Sequence, residues 1–595
     1  MALPGIQSTT ILDGSLGIVA QNSTGVQVKM GNCSSGNVNQ LYSFSTIQDA
    51  KTVLGYGKLV DSIAVLLDVA GGPVYAMKIA ASVAGTIGTI TPSLVTSPTA
   101  SDGVLAVSGS PYNDYQIVVK ISRAGKIGVT PYPTFQYSLD NGLIFTDQIV
   151  IPAGGVYTVT ETGLTFTFTN GANGFFIGDK WTFSCTAATF NNTDVANGYI
   201  ALLADSRTWE AVHLVGVSDT TIASTVASYM TVAETNERYV HSFVEVRDMD
   251  MQAVLESATN TFPMTFVGAE TLKIQISNDF GQTYPVTKTF TFVAGAYANI
   301  AALVTALNVQ SFTGGLFTVL ASANKLQIVT QSIKGKTVLK VDGTSTAIGG
   351  ALIQYTGSQV ASGETEDTWM NSLIGAWVAF TSNRVSVNAG SADIYSSANR
   401  DYNIRNCAHI VSARESLIPI QEDLGKVARG PLPLVLTPSE NSGKYGIYHD
   451  EDAKPGLDVS RFTTLRRFKN IPGFYITNGR TFATPGSDYT FLQYRRVIDR
   501  AATLLTVISK QFINAEFRVN ADGTIYEIDA VNAEDKVSQF LYADLRQNVV
   551  GLQVQVDRNI NLLATQRMKI TVSVRPYGYA KFIDLVIGFT PVVRA

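Results

Sequence analysis

The sequence contains few of the residues that enzymes use for chemistry. Its 595 residues include only 4 histidines and 3 cysteines, and 15% of the residues are charged. Histidine titrates close to neutral pH, so its scarcity limits the sites available for acid–base catalysis. The formal net charge of −4 gives no general attraction to nucleic acid or to an anionic membrane. We therefore expect no nucleic-acid partner and no direct membrane insertion.

The cysteines Cys33, Cys185 and Cys407 are odd in number and lie far apart. This pattern predicts reduced thiols in a protein made in a cytoplasm, with neither a disulfide framework nor a zinc site. No apolar run approaches the length of a membrane span. Residues 1–5 also lack the basic-then-apolar order of a secretion signal.

Catalytic motifs are scarce as well. The sequence has no Gly-x-Ser-x-Gly elbow and no complete phosphate-binding loop. The run Gly55-Tyr56-Gly57-Lys58 matches only the end of such a loop and follows a predicted helix, where a strand is required. His213 and His241 fall within apolar strands, which favours core or interface histidines. We expect no enzyme activity, no cofactor and no metal.

One loop, His449-Asp450-Glu451-Asp452, groups a histidine with three acidic residues. Oxygen ligands of this kind can hold a divalent cation. Consecutive residues in an extended loop point in opposite directions, however, and no second ligand set follows at a matching spacing. The sequence predicts a solvated loop here.

The composition, with 50 glycines and 45% hydrophobic residues, is typical of β-rich structure with large buried surfaces. The predicted fold class is α+β and multidomain: a discontinuous α/β core, two inserted β-rich domains of sandwich or barrel type, and an α+β C-terminal domain with strand-donating terminal arms. The predicted division is an N-terminal arm over 1–25, the α/β core over 26–84, 191–250 and 364–440, inserted β domains over 85–190 and 251–363, the C-terminal assembly domain over 441–580, and a C-terminal arm strand over 581–595.

Helix and strand signals alternate in the predicted core. Ser45, with glutamine three residues later, has the pattern of a capping box. Asp194 and Asp219 can cap two further helices, and the second of these lies between predicted strands over 211–217 and 239–246. This spacing predicts a parallel sheet.

The two inserted regions have the period of strands. In the first, Leu164, Phe166 and Phe168 alternate with threonines, as expected of a half-buried strand. Residues 136–142 and 275–281 share the pattern Gln-x-Ser-x-x-x-Gly. A repeated β module and a chance similarity of two hairpins both account for it.

A long amphipathic helix is predicted over 491–512, after the break at Pro485-Gly486, with Ser487 or Asp488 as its cap. One face is apolar and is expected to pack against the protein. The other face is predicted to be a basic surface stripe, formed by Arg495, Arg496 and Arg500.

Two apolar strand candidates, Met568–Arg575 and Lys581–Thr590, follow and are separated by Pro576-Tyr577-Gly578. A terminal strand can pair within its own chain or complete the sheet of a neighbouring chain. Residues 1–25 carry too few apolar residues for a core and are predicted to form an extended arm.

Three stretches resemble the sheath protein of contractile phage tails and related injection machines. They are residues 44–79 (capped helix, Gly-Tyr-Gly, second helix, Gly-Gly-Pro, strand), the run from Arg461 through Pro472-Gly473 to Arg480 ahead of the basic pair Arg495-Arg496, and the closing strands Val572–Arg575 and Phe582–Phe589. The chain has Lys78 where that family usually has arginine.

The resemblance implies a structural subunit of a bacteriophage-type virion tail, assembled in the host cytoplasm. Its expected partners are other copies of itself in helically stacked hexameric rings, the tail tube protein, and baseplate and tail terminator proteins. Contraction without nucleotide would drive the tube through the host envelope. Strand donation between subunits is predicted for Ile11, Ile18, Phe582, Ile583, Leu585, Val586 and Ile587, and contact with the tube for the basic stripe.

Two other classes of protein remain open on the sequence alone. A different virion component, such as a tail fibre or adhesin, fits the inserted β regions. A multidomain glycan hydrolase would need paired carboxylates, and the sequence singles out no such pair.

Overall fold

The computed structural model of the chain describes residues 24–88, 90–95, 100–140, 142, 144–249, 253–277, 283–284, 286–310, 317–330, 338–349, 352–355, 360–362, 364–437 and 446–589. Helices in these ranges are α1 Ile47–Leu54, α2 Lys58–Ala70, α3 Asn192–Ala204, α4 Thr220–Thr235, α5 Ile300–Val309, α6 Glu366–Trp377, α7 Ala408–Leu417, α8 Leu492–Ser509, α9 Glu527–Leu545 and α10 Leu562–Thr565.

The strands of the first half are β1 Gln27–Gly31, β2 Leu41–Phe44, β3 Val74–Lys78, β4 Thr86–Ile87, β5 Thr91–Ser93, β6 Val104–Gly109, β7 Tyr115–Arg123, β8 Thr134–Ser138, β9 Ile149–Val150, β10 Val156–Val159, β11 Leu164–Thr169, β12 Lys180–Thr186, β13 Ala211–Val217 and β14 His241–Glu245. Those of the second half are β15 Val254–Glu256, β16 Met264–Phe266, β17 Thr271–Ser277, β18 Val286–Thr291, β19 Gly295–Tyr297, β20 Phe317–Ser322, β21 Lys325–Thr330, β22 Val338–Val341, β23 Val360–Ser362, β24 Val385–Asn388, β25 Ser391–Ser396, β26 Asp401–Asn406, β27 Leu465–Arg466, β28 Tyr475–Ile476, β29 Gly551–Val556 and β30 Ile570–Arg575.

A six-stranded sheet with the order β2-β3-β1-β13-β14-β24 lies at the centre of the fold. Its strands are parallel except β2, which runs antiparallel to β3. The sequence predicts this parallel sheet correctly from the strand–helix–strand spacing. The sheet is assembled from three separate stretches of chain, around residues 27–78, 211–245 and 385–388.

Both faces of the central sheet are buried, because successive strand residues point to opposite sides. Val212 and Leu214 belong to the core on the side of α3, α4 and α6. Ala211 and Val215 belong to the core on the side of α2 and α7.

The helix caps differ in part from those predicted. Thr46, not Ser45, caps α1 and accepts the amide three residues later. Asn191 caps α3, and Asp194 completes a capping box three residues inside the helix. Helix α1 therefore begins later than predicted and helix α3 begins earlier. Several neighbouring polar residues can cap each helix, and the backbone conformation selects one of them. Asp219 caps α4 as predicted.

Two groups of β-strands carry separate apolar clusters. Strands β4–β12 form two sheets, β10-β11-β6 and a second sheet around β12, β7 and β8, with the aromatic residues Phe135, Phe166, Phe168 and Trp181 between them. Strands β15–β23 and α5 enclose another cluster around Phe266. The domain boundaries at 85–190 and 251–363 stay predictions, and the turn of the second repeat copy, at 278–281, lies outside the described residues.

The C-terminal part departs further from expectation. Strand signals on either side of the turn Asn520-Ala521-Asp522-Gly523 predict a hairpin, but the structure has only one bridge there, between Val519 and Ile525, and α9 begins at Glu527. The first closing strand is β30, and it pairs with β29, a strand that the sequence reasoning missed. The alternation Leu552, Val554 and Val556 could have revealed β29.

Replacing Phe166 with alanine tests whether the first β group has its own core. Phe166 is fully buried among Phe135, Tyr137 and Phe183. Phe166→Ala is expected to reduce the local opening free energy of strands β6–β12 by about 3–5 kcal/mol, because it leaves a cavity. Hydrogen exchange measured by mass spectrometry should show the change there and leave β15–β23 unaltered.

The control is Thr167→Ala, the next residue on the opposite face of β11. It should alter exchange little, since it removes few buried contacts. Equal losses in both variants, or a loss that spreads to β15–β23, contradict a separate core.

Candidate assembly surface

The C-terminal segment from Phe582 to Phe589 is the longest run of exposed large apolar side chains in the described part of the chain. Leu585 is 88% exposed, and Val586, Ile587 and Phe589 are fully exposed. Among the described residues the segment pairs with no strand, although its sequence is typical of one. Large apolar side chains in a continuous exposed run usually mark a surface that another molecule covers.

The root of this segment, residues 579–581, is bound to the rest of the protein by hydrogen bonds. The Tyr579 hydroxyl donates to the carbonyl of Gln421. The Lys581 ammonium donates to Asp423 Oδ2 and, at 2.6 Å, to Asn478 Oδ1. It also lies 4.5 Å from the centre of the Phe491 ring. The chain therefore leaves the protein at a fixed point near the beginning of α8.

The structure places each predicted strand-donating residue that it describes on this segment. Phe582, Ile583, Leu585, Val586 and Ile587 are all exposed, with no partner strand within the described part of the chain. Ile11 and Ile18 lie outside the described residues. Strand donation itself stays a prediction.

The prediction of an exposed basic stripe on α8 is wrong. Arg495, Arg496 and Arg500 are all buried. The apolar side of α8 packs against α9 and the β29–β30 hairpin. On its polar side, Arg496 reaches Glu210 beside β13 and Glu415 of α7, so this side is covered as well. The periodicity of a sequence shows that a helix has a polar face. It does not show whether that face meets solvent or a protein surface that carries acidic groups.

Acidic groups pair with each of these arginines. Arg496 Nε lies 2.6 Å from Glu210 Oε1 and 3.7 Å from Glu415 Oε1. Burial lowers the pKa of Arg496, but the two carboxylates outweigh this effect and raise it overall. Arg500 Nε donates to Asp544 of α9 over 3.0 Å. These guanidinium groups are not available to contact a tube.

Asp499 joins α8 to Arg384, the residue that precedes β24 at the edge of the central sheet. It accepts Arg495 Nε over 2.9 Å within the helix. It also accepts Arg384 Nη1 over 3.1 Å, and Arg384 Nε donates to Glu234 of α4 over 2.9 Å. The C-terminal helices are thus coupled to the α/β core through buried, charge-assisted hydrogen bonds.

His213 and His409 lie in the core, and the interpretation of His213 as a core histidine is correct. The Nε2 atoms of His213 and His409 lie 3.0 Å and 3.1 Å from the same oxygen of Glu245. Burial lowers the pKa of His213 to about 3, so it is neutral and can donate one hydrogen bond to Glu245. The three ligand atoms lie within 4.8 Å of one another, a spacing that a metal ion could also use. Hydrogen bonding to one carboxylate already accounts for this geometry.

Lys29 is the most unusual member of this buried group. Its ammonium donates to Ser412 Oγ over 2.6 Å and lies 3.2 Å from His213 Nδ1. Burial lowers the pKa of Lys29 to about 7, while Glu415 and Glu245 oppose the shift. Nothing in the sequence pattern pointed to Lys29.

The loop at 449–452 is not the solvated loop predicted. His449 and Glu451 are buried. His449 Nδ1 lies 2.8 Å from Glu366 at the start of α6, and Nε2 lies 2.9 Å from Glu451. The other oxygen of Glu451 accepts the amides of Gly456 and Asp458. This histidine therefore fastens the loop to α6.

No helix within the described ranges is both long and apolar enough to span a membrane.

Comparison with known proteins gives the following matches. A family model described as "DUF2586, N-terminal domain" matches residues 3–270. The search of curated proteins gives no match.

Solved structures similar to the chain include two sheath tail proteins and one chain of a baseplate assembly. A sheath tail protein from Listeria innocua is 9% identical, with 93% of this chain and 92% of that chain covered and a TM-score of 0.37. A sheath tail protein from Desulfitobacterium hafniense is 10% identical, with coverage of 96% and 100% and a TM-score of 0.36. A chain of the anti-feeding prophage baseplate is 8% identical, with coverage of 99% and 99% and a TM-score of 0.41. The first two are sheath tail proteins, the class that the sequence resembles.

Replacing Arg496 with methionine tests the coupling through α8. Arg496→Met leaves the mostly buried Glu210 without its cation, so we expect the opening free energy of α8 to fall by about 3–5 kcal/mol. Hydrogen exchange of the α8 amides measures this opening free energy. The control is Arg429→Met, which removes a partly exposed pair with Glu422 and should cost about 1 kcal/mol or less. Similar losses in the two variants contradict a buried coupling.

The His449 contacts predict a pH-dependent loop. Burial opposes the charged form, but the hydrogen bonds to Glu366 and Glu451 raise the pKa of His449 above 6.5. The folded state therefore binds the proton more tightly than the unfolded state. The stabilisation is complete below pH 6.5 and is lost as the pH rises through the folded pKa.

Amide protection factors of Gly456 and Asp458, corrected for intrinsic exchange, should fall across this range. His449→Gln, which cannot take up a proton, should remove the pH dependence. A wild-type protein whose protection is constant from pH 6 to 9 rules out this role of His449.

Proposed function

We propose that the chain is a structural subunit of a contractile tail sheath. Subunits would polymerise as stacked hexameric rings around a tail tube, and contraction would drive the tube through the envelope of a target cell. The partners would be other copies of the chain, the tube protein, and baseplate and terminator proteins. The assembly would form in the host cytoplasm and reside in the virion tail.

The exposed apolar segment 582–589 is the single observation that carries this proposal. Full burial of a large apolar side chain contributes roughly 1.5–3 kcal/mol. Six such side chains are exposed between Phe582 and Phe589, so covering them would contribute on the order of 10 kcal/mol before the entropy of association is subtracted. A protein that polymerises through this segment recovers that energy.

Strand addition is the interaction that suits this segment. Main-chain hydrogen bonds across a donated strand join two subunits without depending on the rest of their surfaces. Such joints can persist while the subunits rotate as rigid bodies. We extend the same role to the N-terminal arm with Ile11 and Ile18, as the resemblance implies.

The buried ion pairs of α8 fit this mechanism. They fix the C-terminal helices and the root of the donated segment to the central sheet, at Arg496 with Glu210 and at Asp499 with Arg384. A rotation of the α/β core would then be transmitted to the joint between subunits.

Electron microscopy of the purified protein tests the proposal. We expect hollow cylinders with a regular helical surface, alone or after addition of tube and baseplate proteins as nuclei. Deletion of residues 582–595 should give a folded protein that forms no cylinders. Dispersed trimers of the full-length chain, with or without nuclei, would instead indicate a fibre or adhesin.

Two sets of serine substitutions distinguish strand donation from nonspecific hydrophobic association. Ile583, Leu585 and Ile587 changed together to serine should abolish assembly. The control changes Val267 and Val293 to serine, since these residues are 84% and 75% exposed on the second β group. Normal assembly of the variant with serine at 583, 585 and 587 would contradict strand donation.

A further inference from the structure

Three side chains with complementary chemistry meet at the root of the exposed segment. Lys581 carries a primary amine, Asn478 a carboxamide and Asp423 a carboxylate. The Lys581 ammonium donates to Asn478 Oδ1 over 2.6 Å and also to Asp423 Oδ2. An amine, the carbon of a carboxamide and a base held side by side are the components of an amide-forming reaction.

The amine lies close to the carbon that it would attack. Because a carbonyl bond is about 1.23 Å long, the 2.6 Å distance to Oδ1 places Lys581 Nζ no more than about 3.8 Å from Cγ of Asn478. Reacting atoms in a near-attack arrangement lie about 3–3.5 Å apart. A small movement of the lysine side chain therefore separates the hydrogen-bonded arrangement from attack.

The carboxamide of Asn478 is held in one orientation. Its Nδ2 donates to both carboxylate oxygens of Asp458, each over 3.0 Å. Two hydrogen bonds from Arg480, of 2.8 Å and 2.7 Å, hold that carboxylate in turn. The oxygen of the amide thus faces Lys581, and the nitrogen that would leave faces an acidic group.

Asp423 is positioned to take a proton from the amine. Its side chain is largely buried, with 10% exposed. Oδ1 accepts the Gly425 amide over 2.7 Å, and Oδ2 accepts Gln493 Nε2 over 2.8 Å. A general base must lie within hydrogen-bond reach of the proton that it removes, and the contact with Lys581 meets this condition.

Aromatic rings surround the reacting groups. The centre of the Phe491 ring lies 4.5 Å from Lys581 Nζ. The rings of Tyr494 and Tyr579 lie 5.6 Å apart beside it, and burial together with the charge of Asp423 raises the pKa of Tyr494. Rings that restrict the access of water favour attack by the amine over hydrolysis of the amide.

We propose that Lys581 and Asn478 join through an intramolecular isopeptide bond, with Asp423 as the base. The bond between Nζ and Cγ forms, and the bond between Cγ and Nδ2 breaks. One of the three protons of the lysine ammonium stays on the new amide nitrogen. Asp423 passes the other two in turn to Nδ2, which leaves as an ammonium ion beside Asp458. Atoms and charge balance, so the step needs no oxidant and no co-reactant.

The bond ties the root of the exposed segment covalently to the body of the subunit. Residues 478 and 581 are 103 positions apart, and the loop that the bond closes contains α8, α9 and the β29–β30 hairpin. A pull on residues 582–589 then passes directly to Asn478 and does not load these elements. The inference goes beyond the sheath proposal, because the bond lies within one chain and forms without assembly.

Mass spectrometry of the denatured full-length protein tests the bond. Loss of ammonia lowers the mass by about 17 Da relative to the sequence. Trypsin should release a branched product that joins the peptide 470–480 to a second peptide in which Lys581 is uncleaved. An unchanged mass, or a loss of ammonia without the branched product, overturns the proposal. The result is independent of whether the chain forms cylinders.

Substitutions assign the reacting groups. Lys581→Arg keeps a cation beside Asp423 but removes the attacking amine, so we expect the full mass and no branched product. Asp423→Ala removes the base and should also leave the full mass. The control Lys454→Arg alters a lysine that is paired with Asp367, and it should show the same loss as the unmodified protein.

Two outcomes of these substitutions count against the proposal. A branched product in Lys581→Arg overturns the bond to Asn478. Complete bond formation in folded Asp423→Ala overturns the role of Asp423 as the base. Circular dichroism shows whether each variant is folded, and Lys581→Arg decides the existence of the bond if Asp423→Ala does not fold.

Discussion

The burial of helix α8 on two chemically different sides is the constraint on which the rest of the structure depends. An apolar side joins it to α9 and the β29–β30 hairpin. A charged side joins it to the central sheet through Arg496 and Asp499. Buried ion pairs add little net stability compared with apolar contacts, but they demand a specific geometry and are costly to break singly. The relation between the C-terminal helices and the α/β core is therefore fixed in direction as well as in position.

Local periodicity was sufficient for much of the fold. The parallel sheet, the helix capped by Asp219 and the alternating strand β11 all follow from spacing that the sequence displays directly. In α4 and β11 the apolar residues face a single core, so the pattern of each element alone predicts the element. Caps were placed within a few residues, because neighbouring polar residues compete for the role.

The site was harder to predict, for a physical reason. The arginines of α8 have the spacing of an exposed face, and only the tertiary structure brings Glu210, Glu415 and Asp544 against them. The same holds for Lys29 and for His449 with Glu366, whose partners lie far away in sequence. By contrast, the apolar run 582–589 is visible in the sequence itself, which predicted a terminal strand there, and it pairs with no strand in the described part of the chain.

The central sheet also constrains the order in which the chain can fold. Strand β24 pairs with β14, and β1 lies between β3 and β13, so the sheet draws on stretches more than three hundred residues apart. The two β groups between these stretches have apolar clusters of their own and can form as each leaves the ribosome. The sheet is complete only after its edge strand β24 has been synthesised. Helix α8, the hairpin and the exposed segment 582–589 are synthesised later still, after the body of the subunit has had time to fold.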